Sequence, residues 1–122
     1  MKVIKLTAVL FCVLFLYSCK STLSKKTWKE GIVVDEFIYE KAPYPSCHAS
    51  TIVEASNGDL IASWFGGTAE RNPDVTIWVS RKPKNSDKWT EAIQVADGVM
   101  NEQLRYPTWN PVLYQIPGGD LM

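Results

Sequence analysis

The sequence predicts an all-β fold: an incomplete β-propeller, with a first four-stranded blade and the start of a second. Three observations carry this. Short β-rich runs follow one another through tight connections built from Gly, Asn, Asp and Pro, and no helical stripe interrupts them. One stretch recurs. Tyr44-Pro45-Ser46 is answered by Tyr106-Pro107-Thr108, Thr51-Ile52-Val53-Glu54 by Leu113-Tyr114-Gln115-Ile116, and Asn57-Gly58-Asp59-Leu60 by Gly118-Gly119-Asp120-Leu121. The offset is 62 residues at the opening and 61 after the turn, a supersecondary period of the kind that marks arrays and propellers. Four antiparallel strands within about 60 residues make one propeller blade. A β-sandwich of short strands has the same local pattern, and the repeated Tyr-Pro opening favours the propeller.

Taken in order, residues 1–18 read as a signal peptide. Lys2 and Lys5 form a basic start, and Leu6 to Tyr17 is an apolar run broken only by Thr7. That is shorter than the roughly 20 residues a bilayer span needs and fits a secretory segment. Leu16-Tyr17-Ser18-Cys19 resembles a bacterial lipobox, which makes Cys19 the expected lipidation site and places the protein in the cell envelope, anchored to a membrane. Cys12 leaves with the signal, Cys19 is used by lipid, and Cys47 has no cysteine partner for a disulfide. Residues 19–30 are polar and lysine-rich and read as a flexible tether.

The expected propeller portion is 31–122. Gly31 to Tyr39 carries Ile32-Val33-Val34 and Phe37-Ile38-Tyr39 and reads as a strand; Pro43 and Pro45 then exclude a regular ladder. Ala49 to Ala55 and Leu60 to Phe65 read as a hairpin. Asn57-Gly58 between them is expected to form a type I′ turn with positive φ at both central positions. Gly66-Gly67-Thr68 is expected to end the second strand, and Ala69 to Pro73 to form a polar loop. Asp74 to Arg81 alternates as a strand, Lys82 to Lys88 is a turn, and Trp89 to Ala96 is a weaker strand. Val99 to Arg105 links to the second copy. That copy stops as its return strand opens, so the chain reads as the N-terminal part of a longer protein.

The 13 basic and 13 acidic side chains balance, which argues against a nucleic-acid surface driven by net charge. No phosphate loop, metal constellation or cofactor motif is visible. In a propeller the innermost strand of each blade faces the axis, so the residues opening each copy are the ones expected at a central pocket. His48, the only histidine, is a candidate general acid or base, or a loop-orienting residue. Cys47 beside it points to the opposite face of a strand, which makes a poor catalytic pair. Glu70 and Asp74 are candidate acids for glycoside hydrolysis, which commonly sets a carboxylic acid against a second carboxylate or equivalent nucleophile across the scissile bond; turn caps are the alternative. Arg71 and Arg105 are candidates to clamp a sugar carboxylate through paired N–H donors, or to pair with a neighbouring acid. Tyr106, Trp109 and Asn110 are candidates to hold a sugar, the two aromatics by stacking on its ring; packing in a core is the other use of such rings.

Several stretches together resemble the sialidase-like BNR-repeat (Asp-box) family. They are Pro45-Ser46-Cys47-His48-Ala49-Ser50-Thr51-Ile52-Val53-Glu54, the Asn57-Gly58-Asp59-Leu60 turn, Trp64-Phe65-Gly66-Gly67-Thr68, Asp74 to Arg81, and Tyr106-Pro107-Thr108-Trp109-Asn110-Pro111-Val112-Leu113. The resemblance implies about six blades in the full-length protein and a secreted enzyme acting on terminal acidic or other sugars of glycans. It also implies an aspartate as the acid, from the loop after the second strand, where Glu70 and Asp74 lie. Aligned on Ala49, Ser46 stands where sialidases carry a carboxylate-binding arginine, and His48 where they carry proline. The Asp-box is reduced to Ser80, Asp87 and Trp89. The expected function is a sialidase-like glycoside hydrolase at glycan ends. A propeller polysaccharide lyase with His48 as base, and a non-catalytic glycan-binding propeller, are the alternatives.

Overall fold

The computed structural model describes residues 31–122, so the expected signal, lipidation site and tether lie outside the described residues. The chain divides into Met1–Glu36 and Phe37–Met122. Of the first unit only residues 31–36 are described, and they contain no strand.

The second unit is built on one antiparallel sheet with strands in sequence order: β1 (Ser46–Glu54), β2 (Leu60–Gly67), β3 (Thr76–Lys82) and β4 (Ile93–Ala96). The all-β expectation holds, and an open four-stranded meander is the blade of an incomplete propeller. β2 is central and supplies most of the core. Ala62, Trp64 and Phe65 are buried, with Val75 just before β3. β4 is exposed along its whole length and forms one edge.

Period-two geometry gives the sheet two different faces. On one, Trp64 sits across from Trp78. Tyr44 and Tyr39 lie over this pair, with Tyr39–Trp64 centroids 5.3 Å apart and Tyr44–Trp78 centroids 4.8 Å apart. Trp64 Nε1 donates to the Tyr44 hydroxyl at 2.5 Å, and Trp78 Nε1 to the Gly66 carbonyl at 3.3 Å. Gly66 is required here, because a Cβ would lie 2.6 Å from the Tyr44 ring. The opposite face carries His48, Phe65 and Ile77 in one cross-strand row.

Five sequence expectations are corrected. Gly31 to Tyr39 is not a strand: its β-rich residues join no ladder, and Val33 and Phe37 are 95% and 85% exposed. β1 starts at Ser46, ahead of Ala49, because it absorbs a bulge between His48 and Thr51 with Ala49 at φ 54°. β2 runs through Gly66 and Gly67, which pair with Cys47 and Ser46; Gly66 admits the Tyr44 ring and Gly67 the close approach of Val75, and neither ends the ladder. The fourth strand shrinks to Ile93–Ala96, since Thr90 bonds to Arg81 outside the ladder.

The first hairpin turn is the fifth correction. Gly58 N–H donates to the Ala55 carbonyl and Ala55 N–H to the Asp59 carbonyl, both at 2.8 Å. Only Gly58 has positive φ, at 85°. Ser56-Asn57 is therefore the centre of a type I turn, and Gly58 is the bulge residue that closes the three-residue loop. Asn57 stays at negative φ because its side chain is already used, bonding the Asp59 backbone and carboxylate.

The sequence repeat is a structural repeat, shifted by one residue in the strand before the turn: Tyr114 and Ile116 take the places of Val53 and Ala55 rather than of Ile52 and Glu54. Gly119 N–H donates to Ile116, and Ile116 N–H to Asp120, at 3.0 and 3.1 Å. Tyr114 and Met122 exchange two backbone bonds of 2.9 Å, as Val53 and Ile61 pair in the first hairpin. The two copies also run in the same direction. Thr108, near the opening of the second, bonds the Val75 carbonyl, and Gln115, near its turn, bonds Ser56 in the first turn.

Candidate functional site

The topology gathers three segments at one end of the sheet. β1 begins there, β2 ends and β3 begins there, and β4 ends there before the second copy opens. His48, the 68–75 loop and the 97–110 segment thus share that end. Every residue expected at a catalytic or sugar-binding site from sequence falls on one of the three.

The 68–75 loop is two consecutive turns. Asn72 N–H donates to the Ala69 carbonyl at 3.1 Å, and Val75 N–H to the Asn72 carbonyl at 3.0 Å. In the first turn Glu70 and Arg71 are central, and Arg71 has φ 75°. That is the third position of a type II turn, usually taken by glycine. Pro73 is the second residue of the next turn, the position proline favours. Glu70 and Arg71 are both exposed.

Asp74 closes this loop. Its Oδ2 accepts the backbone N–H of Thr68 at 2.8 Å and also the Thr68 hydroxyl. These two donors, with the Arg105 guanidinium nearby, hold the Asp74 carboxyl below the usual aspartate range. Arg105 is held beside the loop by an Nη2 bond of 3.4 Å to the Asp74 backbone carbonyl and acts on the carboxyl through its charge. Its Nε is buried without a hydrogen-bond partner among the described residues. Thr108 fixes the next turn of chain to the same loop, donating its N–H and its hydroxyl to the Val75 carbonyl at 3.2 and 3.0 Å.

His48 lies across the ladder from Phe65, ring on ring, with centroids 5.8 Å apart and 25° between planes. The phenyl face fixes the imidazole while leaving it exposed. Cys47 points the other way, its Sγ 3.0 Å from the Tyr39 hydroxyl. Burial, then that contact, pushes the Tyr39 phenol far above its ordinary range. Cys47 is therefore part of the aromatic face and stands apart from the imidazole.

Asp74 and Arg105 are thus brought into contact, and His48, Glu70 and Arg71 lie at the same end. Tyr106 is tied by its backbone to Gly98 at 2.9 Å, and its ring is exposed. Trp109 and Asn110 are exposed too; no hydrogen bond among the described residues links either to Asp74 or Glu70. Two further residues matter: Thr68, which locks Asp74 and was not expected at the site from sequence, and Thr108, one of the residues opening the second copy, which docks that copy. The signal for both was a hydroxyl residue at an element boundary, where it commonly satisfies backbone groups. Among the described residues no group of three His, Cys, Asp or Glu is placed to share a metal, and no helix is long and apolar enough to cross a membrane. Ser80, from the Asp-box remnant, donates its hydroxyl to the Thr90 carbonyl at 2.7 Å and joins β3 to the segment before β4.

Comparison with known families gives one match. The family described as BNR repeat-like domain matches residues 58–122, just over half of the 122-residue chain. The chain belongs to this family. The match agrees with the sialidase-like BNR resemblance at the level of family. No curated protein matches the chain, and no solved structure does.

Proposed function

We propose that this chain is the opening portion of a lipid-anchored, sialidase-like propeller of the bacterial cell envelope that hydrolyses glycosidic bonds at glycan ends. The observation that carries this reading is convergence. Three segments separated in sequence deliver a histidine, two carboxyls, two arginines and exposed aromatics to one end of the sheet. Glycoside hydrolysis needs a carboxylic acid at the leaving-group oxygen, and the 68–75 loop offers Glu70 and Asp74. Arg71 and Arg105 would steady an acidic sugar, and Tyr106, Trp109 and Asn110 would hold the ring. Further blades would supply the nucleophile.

A second reading is supported by His48. Its exposed, phenyl-backed imidazole at the same end suits a base that removes the proton beside a uronate carboxylate in a polysaccharide lyase. One assay separates the two. The full-length protein is incubated with neutral and acidic oligosaccharides, and the products are followed in the ultraviolet and by reducing-end release. Saturated terminal sugars support hydrolysis. An ultraviolet-absorbing unsaturated product assigns the lyase, and glycan retention without release leaves a binding propeller.

A further inference from the structure

We propose that Asp74 is a positioning residue: as a carboxylate bridging the base of the 68–75 loop, it holds Glu70 and Arg71 in place, and the proton donor of the site is Glu70. This rests on the glycan-hydrolase reading above for the donor role only; the positioning role stands on the loop geometry.

The geometry is a closed ring. Thr68 ends the loop on one side and Asp74 on the other, and two hydrogen bonds from Thr68 reach a single Asp74 oxygen. Both are made to the acceptor form of the carboxyl. Protonated on Oδ1, Asp74 would keep Oδ2 only as an uncharged and weaker acceptor, so the two bonds favour the carboxylate, whereas an acid catalyst must carry its proton until the leaving group departs. Inside the ring lies Arg71 at φ 75°, a backbone region that residues with a Cβ rarely keep unless the surroundings enforce it. Two successive turns and the Thr68–Asp74 closure supply that enforcement.

The charged groups around Asp74 agree with a fixed anion. Arg105 approaches from the segment that opens the second copy and bonds the Asp74 backbone. Glu70 and Arg71 share its loop, and the adjoining ends of β2 and β3 carry no charge between Gly66 and Thr68 or at Val75 and Thr76. Glu70, exposed at the centre of the first turn, is the carboxyl free of the closure. The chain therefore divides the labour between its two loop carboxyls. One is committed to holding backbone, and the other is left for chemistry.

The test compares Thr68→Val, Thr68→Ser, Asp74→Asn and Glu70→Gln in the full-length protein. The Asp74 carboxyl is titrated by carbon NMR, which needs no activity. The expected midpoint lies below about 3.9 in the parent, rises toward that value in Thr68→Val, and stays low in Thr68→Ser. Hydrolysis is then measured on glycosides with good and poor leaving groups. Glu70→Gln is expected to lose turnover of poor leaving groups and keep that of activated ones. Thr68→Val and Asp74→Asn are expected to lose a similar factor, about tenfold, on both. A midpoint that Thr68→Val does not move, or a leaving-group dependence that follows Asp74 instead of Glu70, overturns the proposal. If no sugar is released at all, the hydrolase reading and the donor role of Glu70 fail together, while the titration still decides whether Asp74 is the loop's lock.

Discussion

The side-chain oxygen of Gln115 accepts the backbone N–H of Ser56 at 3.1 Å, across 59 positions of sequence. The same side chain turns its Nε2 back to the carbonyls of Ile116 and Gly119, at 3.0 and 2.8 Å. One amide thus shapes the second turn and ties it to the first. Gln115→Ala is expected to lower stability by about 1 kcal/mol, the net value of such bonds in partly exposed surroundings. Hydrogen exchange checks the assignment: the Ser56 amide is expected to speed up, while the Ile61 and Val53 amides inside the first hairpin keep their protection.

The aromatic face makes a sharper demand. Trp64 is 3% exposed and its only indole donor points at the Tyr44 hydroxyl. Tyr44→Phe preserves ring packing and leaves that donor buried without an acceptor. The expected loss is about 1–3 kcal/mol, read as a shift in the denaturation midpoint with unchanged slope. Gly66→Ala is expected to do more harm than its single methyl suggests, because it displaces the Tyr44 ring and with it the same bond.

Acid sensitivity has a defined origin. The Asp59 side chain is buried and takes bonds from the Lys84 N–H, the Asn57 amide and the Arg81 guanidinium. The Lys84 bond leads in lowering its carboxyl below the ordinary range. A lowered folded value stabilises the fold at pH above the unfolded value of about 3.9 and is lost as pH falls through the folded one. Thermal melts of the parent are expected to weaken below about pH 4. Asp59→Asn is expected to melt lower at pH 7 and to show a shallower acid decline. Asp74, lowered in the same direction, keeps the remainder.

Function-directed substitutions separate the two enzymatic readings. His48→Ala is expected to abolish a lyase and only weaken a hydrolase, since the phenyl-backed imidazole is the base in one reading and a neighbour in the other. Arg105→Ala is expected to raise KM for acidic glycans more than for neutral ones. It should also let the Asp74 carboxyl drift upward, because one of its stabilising charges is gone. Steady-state kinetics on paired acidic and neutral substrates reads the first effect, and carboxyl titration the second.

The order of strands was legible because alternation in Val75, Ile77 and Val79 and the Asn57-Gly58 punctuation are local signals. The repeat was legible because both hairpins need the same turn chemistry, and the bonds of Ile116 reproduce those of Ala55. The Gly31–Tyr39 strand was misread because β-branched composition records a preference for a sheet surface, while pairing requires a neighbour that the sequence does not name. The turn type was misread because Asn57 spends its side chain on Asp59, which Arg81 at the end of the neighbouring β3 and Lys84 just after it also hold. At the candidate site, residue types named Asp74 and Arg105, which the fold brings into contact. They did not reveal that Asp74 is engaged by Thr68, since that closure exists only once the two turns between them have formed.

The bulge in β1 sets Ala49 and Ser50 together against Trp64, while His48 keeps Phe65 and Thr51 keeps Ser63. Shortening the chain by either residue would therefore leave every other partner of the strand where it is. What would change is heading: the Tyr44–His48 stretch would leave the sheet straight rather than bent. Ala49→Gly asks the milder question, easing the φ of 54° for a gain of no more than about 1 kcal/mol, part of which glycine's looser unfolded chain takes back. Aim and anchorage are thus adjustable separately in this strand, so the lead-in to His48 can be redirected without dismantling the blade that carries it.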